Sequence, residues 1–187
     1  LKQNLIDGLS KKEFVISKFL TVVLFSFVST LFVFVVSLIL GLVFSDYNEI
    51  GIIFSDMEYL LAYFINLVGF FSFCLFIGIL VKRSAFALGF LLIWSIVEGI
   101  IYGFLKWEMF RDTNLVDNIM QLFPLASMSN LIKEPFSRLG AVQSAASQLG
   151  EALDKDYSVQ FITVLIVLIW TCLFLFGSYA ILKKRDL

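Results

Sequence analysis

From Phe19 to Ser45 no charged residue interrupts the chain, and three further blocks, 59–81, 84–105 and 159–182, are almost as uniformly apolar. A bilayer core about 30 Å thick takes roughly 20 consecutive apolar residues of helix to cross. Barrel strands run about ten residues and alternate in polarity, which none of these blocks does. Soluble domains carry roughly 45–50% apolar and about 25% charged residues; here 60% of 187 residues are hydrophobic and 16% are charged. The expected fold is all-α: one transmembrane domain, a polytopic helical bundle spanning the membrane at 19–44, 59–81, 84–105 and 159–182.

Composition also limits the chemistry. Histidine is absent, which removes the commonest neutral-pH acid/base group and metal ligand. Cys74 and Cys172 each lie inside an apolar block and read as packing residues, since a free thiol behaves as a small hydrophobe. There is no Gly-x-x-x-x-Gly-Lys-Ser/Thr phosphate loop, no H-E-x-x-H and no serine elbow. Glu98 is the only acid within the four blocks. The chain is therefore not expected to be an enzyme, and no cofactor or metal is expected. Its net charge of −1 gives no reason to expect a nucleic-acid partner.

Lysine and arginine set the orientation. Lys2, Lys11, Lys12 and Lys18 precede the first span, Lys82-Arg83 joins the second to the third, and Lys183-Lys184-Arg185 follows the fourth. The link between the first two spans holds Asp46, Glu49, Asp56 and Glu58 without a basic residue. This alternation puts both ends in the cytoplasm and 106–157 outside, in a cytoplasmic (inner) membrane. The chain opens on Leu1 in polar sequence, and further sequence is expected upstream.

The entry segment, 1–18, is the most patterned polar stretch. Leu1, Leu5 and Leu9 form an apolar stripe at helical spacing, and Asp7-Gly8 reads as the end of that helix. Ser10-Lys11-Lys12-Glu13 has the S-x-x-E form of a capping box, in which Ser10 and Glu13 satisfy each other's amides. A second helix should start there and continue through Lys18 into the first span. Two roles fit this pattern: an interfacial helix with lysines at lipid headgroups, or a docking element for another protein.

The stretch Gln3-Asn4-Leu5-Ile6-Asp7-Gly8-Leu9-Ser10-Lys11-Lys12-Glu13-Phe14, followed by Lys18, resembles the first cytoplasmic loop of type-2 ABC transporter permeases. The closing Leu182-Lys183-Lys184-Arg185-Asp186-Leu187 is similar to that family's usual end. The resemblance implies that the chain is an exporter-like membrane subunit and that its four helices are spans three to six of six. It implies as partners a separate ATP-binding subunit and a second permease subunit, identical or related, within the membrane lipid. Asp7, Gly8, Ser10, Lys11, Lys12 and Glu13 would then form the coupling segment at the ATPase.

Glu98 lies about two-thirds through the third block. A carboxylate at mid-membrane costs about 2.5–3.5 kcal/mol on insertion scales, so it should face protein or water. Trp94, Glu98 and Tyr102 make one stripe, and Ser95, Gly99 and Gly103 a neighbouring small-residue stripe that lets a helix approach closely. Two readings remain open. Glu98 lines a substrate or proton path, or it fixes packing through Tyr102, Asn66 or backbone.

In the 106–157 link, Leu115, Ile119, Leu122 and Phe123 sit at helical spacing until Pro124, and an apolar piece runs from Leu125 to Ile132. Leu139, Val142, Ala146, Leu149 and Leu153 then suggest an amphipathic helix. Short helices lying on, or partly re-entering, the outer leaflet would satisfy this pattern. The resembled family also holds short extracellular helices here, near the exit of its pathway; a capping subdomain without a substrate role fits as well. Apart from ABC transport, two other functions are open: a non-transporting anchor or assembly factor, and a secondary transporter coupled through Glu98.

Overall fold

A computed structural model of the chain describes residues 10–44, 54, 57–81, 84–109, 115–132, 142, 144 and 158–184. Among the described residues there is no strand. Four long helices form the body: α1 (Lys11–Phe44), α2 (Met57–Val81), α3 (Ser84–Phe104) and, after two short helices, the last span. The short helices are α4 (Leu115–Met120) and α5 (Pro124–Ser129), and the last is α6 (Phe161–Lys184). Each long helix is apolar and long enough to cross a bilayer. The expected leucine-striped helix before Gly8 and the helix over Leu139–Leu153 fall outside the described residues, apart from Val142 and Ser144.

The α2–α6 pair is the centre of the bundle, with α1 packed on both helices and α3 on α2. The buried faces are marked by small and hydroxylic residues. On α6, Thr163, Val167, Thr171, Phe174, Ser178 and Leu182 are buried, while Phe161, Ile162, Ile169 and Phe176 are exposed. Lipid tails solvate a leucine as well as protein does, so helices associate through close packing and polar contacts rather than by hiding apolar surface. Two of the buried hydroxyls are satisfied by their own helix: Ser72 Oγ donates to the Val68 carbonyl at 2.6 Å, and Thr171 Oγ1 to Val167 at 2.8 Å, whereas Ser26 and Ser178 Oγ have no partner among the described residues.

Two glycines set the α2–α6 approach. A Cβ on Gly69 would lie 2.9 Å from Val167 Cγ1 and 3.2 Å from Met128 Cε; one on Gly177 would lie 2.8 Å from Phe76 Cε2. The small-residue stripe expected to admit a helix is placed differently. At Gly99 and Gly103 a Cβ would meet nothing within 4 Å, so no described helix packs closely on them.

The structure refines the reading of the 115–132 segment and adds which face of its first helix is packed. The first helix ends at Met120, and Pro124 begins the next one as its first residue, a position where the missing N–H costs nothing. The buried face of α4 is Val116 and Met120, whereas Leu115, Ile119 and Leu122 are exposed. Helical spacing finds an apolar face, but where both surroundings are apolar it does not say which face is packed. A single π-helical turn, Leu105–Met109, ends α3, and no sequence signal announced it.

Candidate functional site

The α4–α5 segment folds back into the bundle. Met128, on α5, touches the Gly69 position, which is twelve residues from either end of α2 (69−57 and 81−69), or about 18 Å along the helix at 1.5 Å per residue. Trp170 Nε1 donates to the Leu122 carbonyl at 2.9 Å, fixing the turn between α4 and α5 to the last span. A backbone turn at that depth is tolerated only when protein or trapped water satisfies its polar groups.

Glu98 is what satisfies them. Its Oε1 accepts from Trp94 Nε1 at 2.6 Å and from the Leu125 amide at 3.3 Å, and its Oε2 accepts from the Ala126 amide at 2.9 Å. The four N–H groups at a helix start have no partner within the helix, and here each position is accounted for. Phe123 N donates to the Met120 carbonyl, Pro124 has no N–H, Leu125 and Ala126 donate to Glu98, and Ser127 N donates to Phe123 at 2.8 Å. The N-cap residue, Phe123, has no side chain that could do this; a carboxylate from another helix stands in for it, where the positive end of the helix also favours a negative charge. Hydrogen bonds to charged groups contribute about 1.5–3 kcal/mol each, so three of them offset an insertion cost of about 2.5–3.5 kcal/mol.

At this contact is a groove of about 380 Å³ between α3 and the folded-back segment. Ser95, Gly99 and Tyr102 of α3, Asp117 of α4, Ser129 of α5 and Asn130, its C-cap, line it, with Glu98 among them. Tyr102 does not join Glu98; its hydroxyl accepts from Lys106 Nζ at 3.1 Å. An aromatic series holds the opposite side of the contact. Phe90 stacks on Trp94 at 5.9 Å, Trp94 meets Phe73 at 6.1 Å, Phe73 meets Phe174 at 4.7 Å, and Phe174 stacks on Trp170 at 5.4 Å. The two indoles that donate to this region thus belong to one packed row across three helices.

The entry turn is the second site. Ser10 N donates to Glu13 Oε2 at 2.8 Å, and Glu13 N donates to Ser10 Oγ at 3.2 Å, which is the expected capping box. The hydrogen bonds from Ser10, backbone first and then side chain, hold the Glu13 carboxyl below its ordinary value of 4.5. Phe14 and Val15 are buried with Ile79 of α2 and Leu182 of α6, and Lys11 Nζ donates to the Lys183 carbonyl at 3.4 Å. The start of α1 and the ends of α2 and α6 therefore share one end of the bundle, with Lys11, Lys12, Lys183 and Lys184.

Residues 2–187 match the family described as "Protein of unknown function (DUF2705)". The chain belongs to this family. No curated protein and no solved structure matches it.

In this DUF2705 chain the structure brings Ser95, Glu98, Gly99 and Tyr102 to one groove, and leaves Gly103 outside the residues lining it. Ser10, Lys11, Lys12 and Glu13 form the entry turn, while Asp7 and Gly8 lie outside the described residues. Among the described residues no group of three His, Cys, Asp or Glu could hold a metal. The inward fold of α4–α5 was foreseen as one option, but its partners Trp170 and Gly69 were not. The i, i+4 recurrence of Thr163, Val167 and Thr171 was the available signal for the packed face of α6, since hydroxyls in an apolar span favour a helix interface.

Proposed function

We propose that this chain is the membrane subunit of an ATP-driven ABC exporter. It would work with a second permease subunit and a separate ATP-binding subunit in the cytoplasmic membrane, its basic end facing the cytoplasm. The observation that carries the reading is the closed Ser10–Glu13 turn, continuous with the 34-residue α1 and seated against the ends of α2 and α6. Force on an exposed turn is transmitted only if the turn is rigid and joined to what must move. Here two reciprocal hydrogen bonds stiffen it, and Phe14, Val15 and Lys11 join it to two further spans. Closure of ATPase subunits on Lys11, Lys12 and their neighbours would then turn α1, α2 and α6 as one body, the rigid-body form of alternating access.

Two further features support this reading. The resembled permeases hold short helices in the link before the last span, and α4 and α5 occupy that link here. The orientation rests on the lysines gathered at one end, which the positive-inside rule assigns to the cytoplasm. Glu98 is given a structural role in this scheme, because both its oxygens serve the start of α5 and Trp94.

The test is co-purification of the tagged, full-length protein from its native membrane in mild detergent. An ATP-hydrolysing subunit should be retained in stoichiometric amount and lost when residues 10–13 are replaced by Gly-Ser sequence. A folded protein that retains no such subunit would overturn the proposal.

A further inference from the structure

The basic end of the bundle holds a second feature beside the entry turn. Between the start of α1 and the end of α6 runs a groove of about 470 Å³. Lys12 and Tyr179 line it nearest the helix ends, and Ile16, Phe19, Cys172 and Phe176 wall it further in. Its α6 wall continues into a second apolar depression of about 380 Å³ that shares Cys172 and Phe176 and extends to Leu165. Ile16 and Phe176 are 46% and 71% exposed, so none of the described residues fills the space. Lys12 to Phe19 and Tyr179 to Cys172 are seven residues each (19−12 and 179−172), about 10 Å of helix.

The charge lies at one end only. Among the described residues no carboxylate pairs with Lys12, and the neighbouring acid, Glu13, is turned back onto Ser10. Lys183 and Lys184 close the same end of α6. A cation at the membrane surface above an apolar track leading inward complements a molecule with an anionic head and a hydrocarbon tail. Soluble phosphate would leave the track empty, and a zwitterionic lipid would gain little from Lys12.

We infer that this groove binds one anionic phospholipid, its phosphate on the Lys12 ammonium beside Tyr179 and an acyl chain along Phe19, Cys172 and Phe176. The bound lipid would wedge α1 against α6 next to the entry turn. The groove shares Lys12 with the entry turn, but the inference does not depend on the transport reading, because the lipid is a resident of the bundle and not its cargo.

The experiment is native mass spectrometry of the purified, delipidated full chain, titrated with phosphatidylglycerol or with phosphatidylcholine of the same acyl chains. One phosphatidylglycerol should be retained about fivefold more tightly than phosphatidylcholine, the scale of one lysine at an anionic headgroup. Lys12→Gln should abolish that preference, and Lys18→Gln, which lies outside the groove, should keep it. Ile16→Trp, which fills the groove, should weaken both lipids and decides the matter if Lys12→Gln fails to fold. Equal retention of the two lipids by the unaltered protein, equal loss of preference in both lysine variants, or no effect of Ile16→Trp would overturn the inference.

Discussion

Glu98 Oε2 accepts a hydrogen bond from the Ala126 amide at 2.9 Å, joining the third span to a helix that begins inside the bundle. The same carboxylate takes the Leu125 amide and the Trp94 indole. It therefore ends one helix's search for N-terminal acceptors while sitting on another helix.

Replacing that carboxylate should be costly in proportion to the donors left behind. Glu98→Ala strands three, and an unsatisfied buried donor costs about 1–3 kcal/mol. Glu98→Gln keeps one oxygen and turns an amide toward N–H groups, so its loss should fall between the two. Thermal unfolding in detergent should rank the unaltered protein above Glu98→Gln and Glu98→Ala last. Unchanged stability with abolished transport would instead make Glu98 a pathway residue.

Glycines of the central pair and of the exposed stripe should behave oppositely. Gly69→Ala pushes a methyl against the stiff, β-branched Val167, an overpacking expected to cost about 1–3 kcal/mol. Gly177→Ala meets the Phe76 ring, which can tilt, so it should cost less. Gly103→Ala meets nothing and should be neutral or slightly stabilising, as alanine is about 1 kcal/mol the better helix former. Chemical denaturation of the three variants would show this order. A destabilised Gly103→Ala would mean that a second subunit packs there.

Trp170→Phe removes the indole bond to the Leu122 carbonyl but keeps an aromatic ring in the row with Phe174. Hydrogen bonds between membrane helices average about 0.6 kcal/mol and reach about 1.7, so the global effect should be small. Hydrogen–deuterium exchange should show the local one, with faster exchange in 115–132 and no change in α1.

The entry turn gives a pH dependence with a definite sign. The folded state holds the Glu13 carboxyl below its ordinary value of 4.5. Stability from this group is therefore fully present above that value and is lost as pH falls through the lower, folded one. Helicity at the start of α1 should decrease below about pH 4.5 in the unaltered protein, but not in Glu13→Gln. Ser10→Ala, removing the N-cap, should cost about 1 kcal/mol at neutral pH. Circular dichroism across the acid range would separate the two variants.

The parts of this fold that follow from local chemistry could be read in the sequence. The charge-free run after Lys18 foretold α1, and the Ser10-x-x-Glu13 spacing foretold where its helix starts, because both depend on residues within one turn or one span. What depends on partners far apart in the chain could not be read. Nothing near Leu122 points to Trp170, and nothing near Glu98 points to Leu125 and Ala126, yet those contacts define the groove. Periodicity found the apolar Leu115, Ile119 and Leu122 but left open which face of α4 packs, and the packed residues are Val116 and Met120. In an apolar surrounding, hydrophobicity does not distinguish a face touching lipid from one touching protein, so small residues such as Gly69, Ser72 and Thr171 carry the information instead.

The bonds to Glu98 also impose an order on biogenesis. Its partners Leu125 and Ala126 emerge from the ribosome 27 and 28 residues later, and Trp170 follows Leu122 by 48. When α3 first enters the bilayer, its carboxylate has only the Trp94 indole, four residues back, as a partner. The α4–α5 hairpin must turn inward before that debt is cleared, and only synthesis of the last span latches it. Truncating the chain ahead of Trp170 should therefore leave a nascent protein that inserts but does not close.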